Sequence, residues 1–250
     1  MNRYVTAVAG LALASAAVAA PRDIQFRTVD LANGVVELHN FGETSEDLSG
    51  WRFCSHDESV VRRYSDAAGL DGVSIAPGES LYVHFNGTAD EPGEVNTSTV
   101  GGNFAPLSST AYAIQIYFSP VSFGNGNTMA DNIQWTADGT PDSMADERTD
   151  EAIAGGIWGA LDDFISLDSG AFVRLINLTG GELNNSGDYR VAGAIQDCNM
   201  NGRDDVFEIL DGGTVPCGGM TGGCVADFDG SGTVDSGDLA VLLAAWGPCP

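Results

Sequence analysis

The chain has 250 residues, and its 35 Asp and Glu against 10 basic residues leave a formal charge of -25 at pH 7. Every basic residue is Arg, and so acidic a chain excludes nucleic-acid binding of the ordinary electrostatic kind, which requires a basic face for the phosphates. With 43% hydrophobic residues, 8% aromatic residues and 33 Gly, the composition is globular and turn-rich, points to a β architecture, and favours divalent cations wherever carboxylates converge.

Residues 1–19 read as a signal peptide. Arg3 lies ahead of an uncharged apolar run from Val5 to Ala17, and Ala17-Val18-Ala19 places small residues at the -3 and -1 positions of a cleavage site after Ala19. The run is shorter than the roughly 20 residues a bilayer span requires. The longest later apolar stretch, Leu239 to Trp246, is shorter still. The expectation is a secreted or surface-held protein with no membrane insertion after signal cleavage.

From residue 22 to residue 192 short β-type runs alternate with turn clusters. Strands are expected over Asp23 to Val29, Gly34 to Asn40, Trp51 to Cys54, Val60 to Tyr64, Ser80 to Phe85, Tyr112 to Phe118, Asn132 to Trp135, Phe172 to Asn177 and Tyr189 to Val191. So many short strands at this spacing predict a mainly β, sandwich fold. Val35-Val36-Glu37-Leu38-His39 is too apolar on both faces for a solvated edge and reads as a central strand. Asn86 to Ser109 and Thr136 to Asp150 are rich in Gly, Pro, Ser, Thr and acid, and read as surface loops.

The chemistry in this part is sparse. Cys54-Ser55-His56-Asp57 groups a thiol, hydroxyl, imidazole and carboxylate, but neighbours on an extended segment point alternately to opposite faces, which suits a strand end better than a relay. Glu37 has nothing in the sequence to pair with it. Asp162-Asp163 and Asp146-Glu147 are acid pairs of a sort glycosidases use, yet among 35 acids such pairs arise by chance. No nucleophile elbow, zinc-protease helix or phosphate-cradling Gly loop occurs. The chain is therefore expected not to be an enzyme.

Two stretches in order, Val35-Val36-Glu37-Leu38-His39-Asn40 and then Asp47-Leu48-Ser49-Gly50-Trp51, resemble the lamin tail domain pattern. Ala76-Pro77-Gly78-Glu79-Ser80-Leu81-Tyr82-Val83 is similar to that family's Pro-Gly turn before a strand, and Ala130-Asp131-Asn132-Ile133-Gln134-Trp135 to its late strand. The resemblance covers roughly Asp23 to Val191 and implies an immunoglobulin-like sandwich, here with long insertions, in a family known for interaction. In such a fold Trp51 is expected to fill the space between the sheets, Gly50 to permit the turn that delivers it, and Asn40 and Asp47 to satisfy loop amides.

Past a composition change at Val191 to Gln196 lies a second module, 197–250. It holds Cys198, Cys217, Cys224 and Cys249, while Cys54 stands alone. In an exported protein two disulfides and one thiol are the simplest arithmetic, and zinc finds no Cys-x-x-Cys. The expected pairs are Cys224 with Cys249 and Cys198 with Cys217, the first clipping the chain end to the start of an acidic loop for about 3 kcal/mol in the loop-entropy picture.

That loop, residues 227–238, follows the twelve-residue calcium grammar. Asp227, Asp229, Ser231, Asp235 and Asp238 place oxygens at positions 1, 3, 5, 9 and 12, Gly232 sits at 6, Val234 at 8, and Thr233 would give its backbone carbonyl. Leu239, Leu242, Leu243 and Trp246 then recur at helical spacing until Gly247-Pro248. A weaker copy, 197–208, offers Asp197, Asn199, Asn201, Arg203 through its carbonyl, Asp205 and Glu208, but has Asp204 at position 8. With Asp at position 12 and an exiting helix, the second loop looks like a dockerin repeat. The first also resembles the calcium repeats of thrombospondin type 3.

The dockerin resemblance implies two loops packed as a pair, Ca²⁺ as cofactor, and a cohesin-like extracellular partner. The residues that would choose such a partner, Val206-Phe207 and Ser236-Gly237, are unlike one another, so an envelope component is an equal candidate. The expectation is a secreted, non-catalytic binding or scaffolding protein with a calcium-stabilised tail. The alternative is an accessory subunit or degenerate enzyme of an extracellular polysaccharide- or nucleic-acid-degrading complex, recruited through that tail.

Overall fold

A computed structural model describes residues 22–58, 61–85, 93–141, 148–167, 171–176, 180–181, 183–192, 215–216, 233–234 and 237–238. The expected signal peptide, the four C-terminal cysteines, the helix expected after Asp238 and the acid pair Asp146-Glu147 lie outside them.

The strands are β1 (Ile24–Asp30), β2 (Val35–Asn40), β3 (Glu46–Asp47), β4 (Arg52–Asp57), β5 (Arg63–Tyr64), β6 (Ser74–Ile75), β7 (Ser80–His84), β8 (Glu94–Asn96), β9 (Ala111–Tyr117), β10 (Met129–Thr136), β11 (Ile165–Ser166), β12 (Phe172–Leu175), β13 (Tyr189–Ala192), β14 (Val215–Pro216) and β15 (Thr233–Val234). Two short helices, α1 (Thr97–Val100) and α2 (Thr149–Ala154), accompany them, and Gly237 and Asp238 are helical as well. The chain is mainly β, as its composition predicted.

Two sheets share one core. The larger has the order β13-β12-β1-β2-β7-β8, the smaller β11-β10-β9-β4-β5. Side chains that alternate along each strand meet between them: Phe26, Val36, Leu38, Leu81, Val83 and Val173 from the first, Phe53, Ile114, Ile116, Ile133 and Trp135 from the second. Trp135 stacks on Tyr112 with ring centroids 5.4 Å apart and donates from Nε1 to the Ser108 carbonyl at 2.8 Å, so its polar end costs nothing to bury. As its two apolar faces require, β2 lies inside its sheet, between β1 and β7.

Three expectations are corrected. Trp51 packs against the core but is only half-buried, with its ring 6.2 Å from Phe118, because β4 begins one residue later and the turn at Gly50 (φ 76°) leaves Trp51 outside the strand. Trp135 and Trp158 are the fully buried tryptophans among the described residues. Second, the stretch expected to be a loop over Asn86 to Ser109 contains β8 and α1, and the one over Thr136 to Asp150 ends in the first turn of α2. Their polar sequences hid this: α1 is capped by the Asn96 side chain, which accepts from Ser98 N at 2.9 Å, and β8 adds to its sheet in parallel with β7. Third, Glu37 is well partnered. It accepts from Ser80 Oγ at 2.6 Å and Thr28 Oγ1 at 3.0 Å and faces Arg27 Nη1 at 3.6 Å.

Asn40 and Asp47 hold loop amides as expected: Gly42 N donates to Asn40 Oδ1 at 2.8 Å, and Ser49 N to Asp47 Oδ1 at 2.9 Å. No helix among the described residues is long and apolar enough to cross a membrane.

Candidate functional site

The catalytic-looking tetrad sits in β4, paired to β9 on one side and β5 on the other. Pleating sends Cys54 and His56 to the face opposite Phe53 and Ser55, and the thiol Sγ lies 3.4 Å from His56 Nε2. A thiol beside an imidazole is the arrangement of a cysteine nucleophile, so its electrostatics decide what it can do. Burial pushes the Cys54 thiol up to about 12 against the opposing pull of Arg148, and burial, with Arg148 and Arg62 adding to it, brings His56 down to about 4. Both groups are neutral at pH 7. An activated cysteine requires the reverse, a stabilised thiolate against an imidazolium.

The same face carries a polar layer that the sequence reading missed. Gln115 Nε2 donates to Asn132 Oδ1 at 2.8 Å, Asn132 Nδ2 to Gln134 Oε1 at 3.3 Å, and Thr149 Oγ1 of α2 to that oxygen at 2.7 Å. Arg148 closes the layer, donating to Glu151 Oε1 at 2.8 Å and to the Tyr64 hydroxyl at 3.1 Å. The signal was present as Asn132, Gln134 and Thr136 at a spacing of two, a polar stripe on a strand whose other face is Ile133 and Trp135. Its effect is to fasten α2 to the sheet. Asp163, an acid of the glycosidase-type pair, is likewise structural: its carboxylate accepts from Ser186 N at 2.8 Å and Ser186 Oγ at 2.5 Å, and its carbonyl from Trp158 Nε1 at 2.8 Å.

His56 makes stability depend on pH in a predictable direction. Folding disfavours its charged form, so its contribution is complete above the ordinary imidazole value of 6.5 and is lost as pH falls toward about 4. At 1.36 kcal/mol per pH unit the loss is on the order of 3 kcal/mol. His56→Gln should remove that component, so urea midpoints of the two proteins should converge on acidification. Midpoints that stay a fixed distance apart from pH 7 to pH 4 would show that His56 is not held neutral.

Of the calcium-loop residues, Thr233 and Asp238 are described, and Asp227, Asp229, Ser231, Asp235 and the whole loop 197–208 lie outside. Thr233 and Val234 form β15, which pairs antiparallel with β14 as Thr233 opposite Pro216 and Val234 opposite Val215. Proline has no N–H to give, so the register partner of Thr233 does not take up its carbonyl. That is the oxygen a metal would need at position 7. Asp238, at position 12, is 2% exposed, and a carboxylate this buried requires a cation or donors around it. Both residues fit a hard cation. Among the described residues no group of three or more His, Cys, Asp or Glu is gathered for a metal.

A scan against protein-family models finds no match for the chain, and a search of curated proteins finds none either.

Proposed function

We propose that the chain is a secreted, non-catalytic binding or scaffolding protein: a sandwich over 22–192, of the immunoglobulin-like kind that the lamin tail resemblance implies, attaches to an extracellular or cell-surface partner through a dockerin-like module over 197–250. The observation that carries this reading is the second loop, 227–238, with four Asp, a Gly at position 6, Thr233 extended with its carbonyl spared by Pro216, and a buried Asp238. Ca²⁺ would neutralise the converging carboxylates and tie the loop to its helix. Asp227, Asp229, Ser231, Asp235 and Asp238 would hold it with side-chain oxygens and Thr233 with its carbonyl. The weaker loop would use Asp197, Asn199, Asn201, the Arg203 carbonyl, Asp205 and Glu208.

A binding role rather than a catalytic one is supported by the chemistry of the sandwich. Its thiol and imidazole pair is neutral and buried. The test is recovery of partners from the secreted proteins of the producing organism, with calcium and with chelator. Calcium-dependent recovery of envelope or adhesive proteins is the expected result. Calcium-dependent recovery of polysaccharide- or nucleic-acid-degrading enzymes would establish the accessory-subunit alternative instead, and identical recovery in chelator would sink the calcium-tail reading.

A further inference from the structure

An Asn followed by Gly is a chemically labile pair, because glycine has no side chain to keep its nitrogen from the amide carbon of the residue before it. The sequence holds four such pairs: Asn33-Gly34, Asn86-Gly87, Asn125-Gly126 and Asn201-Gly202. Two of them, the first and the third, lie among the described residues, and the fold holds them differently. Asn125 starts a 3-10 turn, and its Oδ1 accepts from Asn127 N at 3.0 Å. Gly126 is buried against the end of α2, so closely that an added Cβ would collide with the Glu151 carbonyl. Rotating that peptide would displace the helix.

Asn33 is exposed, in the turn 31–34 that joins β1 to β2, and Gly34 has a φ of 68°. Both ends of the turn are tied to neighbouring strands: Leu31 N donates to the Ala171 carbonyl at 2.9 Å and Phe85 N to the Gly34 carbonyl at 2.7 Å. Between them Asp30, only 7% exposed, grips Asn33 twice. Its Oδ1 accepts from Asn33 N at 3.0 Å and its Oδ2 from Asn33 Nδ2 at 2.7 Å.

We propose that Asn33-Gly34 is a deamidation site and that Asp30 is its guard. In the reaction the Gly34 nitrogen attacks Asn33 Cγ, the new N–C bond closes a succinimide ring, the Cγ–Nδ2 bond breaks, and ammonia leaves with the proton that Gly34 N gives up. Water then opens the ring at either carbonyl, which yields aspartate or isoaspartate. Ring closure requires Asn33 to swing its amide carbon onto the next peptide nitrogen. That movement is opposed while one carboxylate holds both the main-chain N–H and the side-chain amide. Either product replaces Nδ2, a donor to Asp30, by an oxygen that repels it. Isoaspartate also adds a carbon to the main chain inside the turn that sets the register of β1 against β2. The hairpin at the middle of the larger sheet is thereby weakened, and nothing in the chain reverses the change.

The full chain, kept folded or unfolded in urea in the same mildly alkaline buffer, is sampled over time and cleaved at Arg, which delivers Asn33 in peptide 28–52. Mass spectrometry reads the amide-to-acid mass gain at Asn33, with Asn125 as the internal reference. A bond to a charged acceptor that must break first slows a step by about tenfold or more, so folded wild-type protein should convert Asn33 at least that much more slowly than the chain in urea. Asp30→Ala should raise the folded-state rate at Asn33 several-fold and leave Asn125 slow. Asp30→Asn, which keeps the shape and one acceptor, should fall between. Equal rates at Asn33 in folded and unfolded wild type, no rise in either variant, or a rise at Asn125 matching that at Asn33 in both variants would each overturn the proposal. Asn33→Asp makes one product directly and should lower the urea midpoint; an unchanged midpoint would remove the weakening of the hairpin.

Discussion

Chelation of calcium is expected to strip amide protection from residues 239–246 while leaving Val35 to Leu38 protected. In the proposed calcium loop Asp227, Asp229, Asp235 and Asp238 would bring four carboxylates onto one turn, and without a cation their repulsion would oppose the helix expected from the spacing of Leu239, Leu242 and Trp246. A ligand at about a hundred times its dissociation constant contributes about 2.7 kcal/mol to the state that binds it, so protection of that helix should fall by about 100-fold on chelation. The sandwich does not share the effect, since the apolar core between its two sheets is built without the loop. Hydrogen exchange on the full chain reads both regions in one experiment. Asp229→Ala should weaken calcium binding and loosen the same residues. Equal protection of 239–246 in calcium and chelator would remove the functional content of the dockerin resemblance.

Replacing Arg22 should damage the sandwich more than any surface change. Asp131 is fully buried in β10; its Oδ1 receives Arg22 Nη2, and its Oδ2 receives Phe26 N at 2.7 Å. Burial pushes the Asp131 carboxyl above its ordinary range, and the Arg22 guanidinium opposes that. Arg22 also donates from Nε to the Ala130 carbonyl at 2.8 Å, so it ties the start of the described chain to the opposite sheet. Arg22→Ala leaves a buried carboxylate without its cation, and breaking such a pair costs roughly 3–5 kcal/mol. The check is chemical denaturation of the variant beside Arg22→Ala/Asp131→Asn. Neutralising the stranded carboxyl should recover part of the loss, which a merely local packing defect would not allow. A loss below about 1 kcal/mol would show that the pair holds no structural role.

Much of the sandwich was readable because strands report themselves through alternation and turns through Gly, Pro and Asn. Val35 to Leu38 announced a central strand by being apolar on both faces, and Asn40 and Asp47 announced their loop bonds by side-chain chemistry that acts over two to four residues. The same local reading failed for Trp51, because a strand's first residue is set by where its partner strand ends, and nothing near Trp51 records the end of β9. It failed for Glu37 as well. Thr28 and Ser80 are 9 and 43 residues away along the chain, and only the sheet register brings them to its carboxylate.

What the amino-acid sequence determined by itself was thus the local grammar: a mainly β chain, the position of its central strand, the turns at Gly50 and Gly78, and the spacing of oxygens in 227–238. Tertiary structure alone decided which side chains share an environment. It buried Cys54 and His56, raising the thiol and lowering the imidazole, gave Asp131 its cation from Arg22 across 109 residues, and set Arg174 against Arg190 on one face of the larger sheet. The reason is physical. Backbone preference and turn chemistry act between residues a few positions apart, whereas desolvation and Coulomb attraction depend on distance in space, and only strand register converts one into the other.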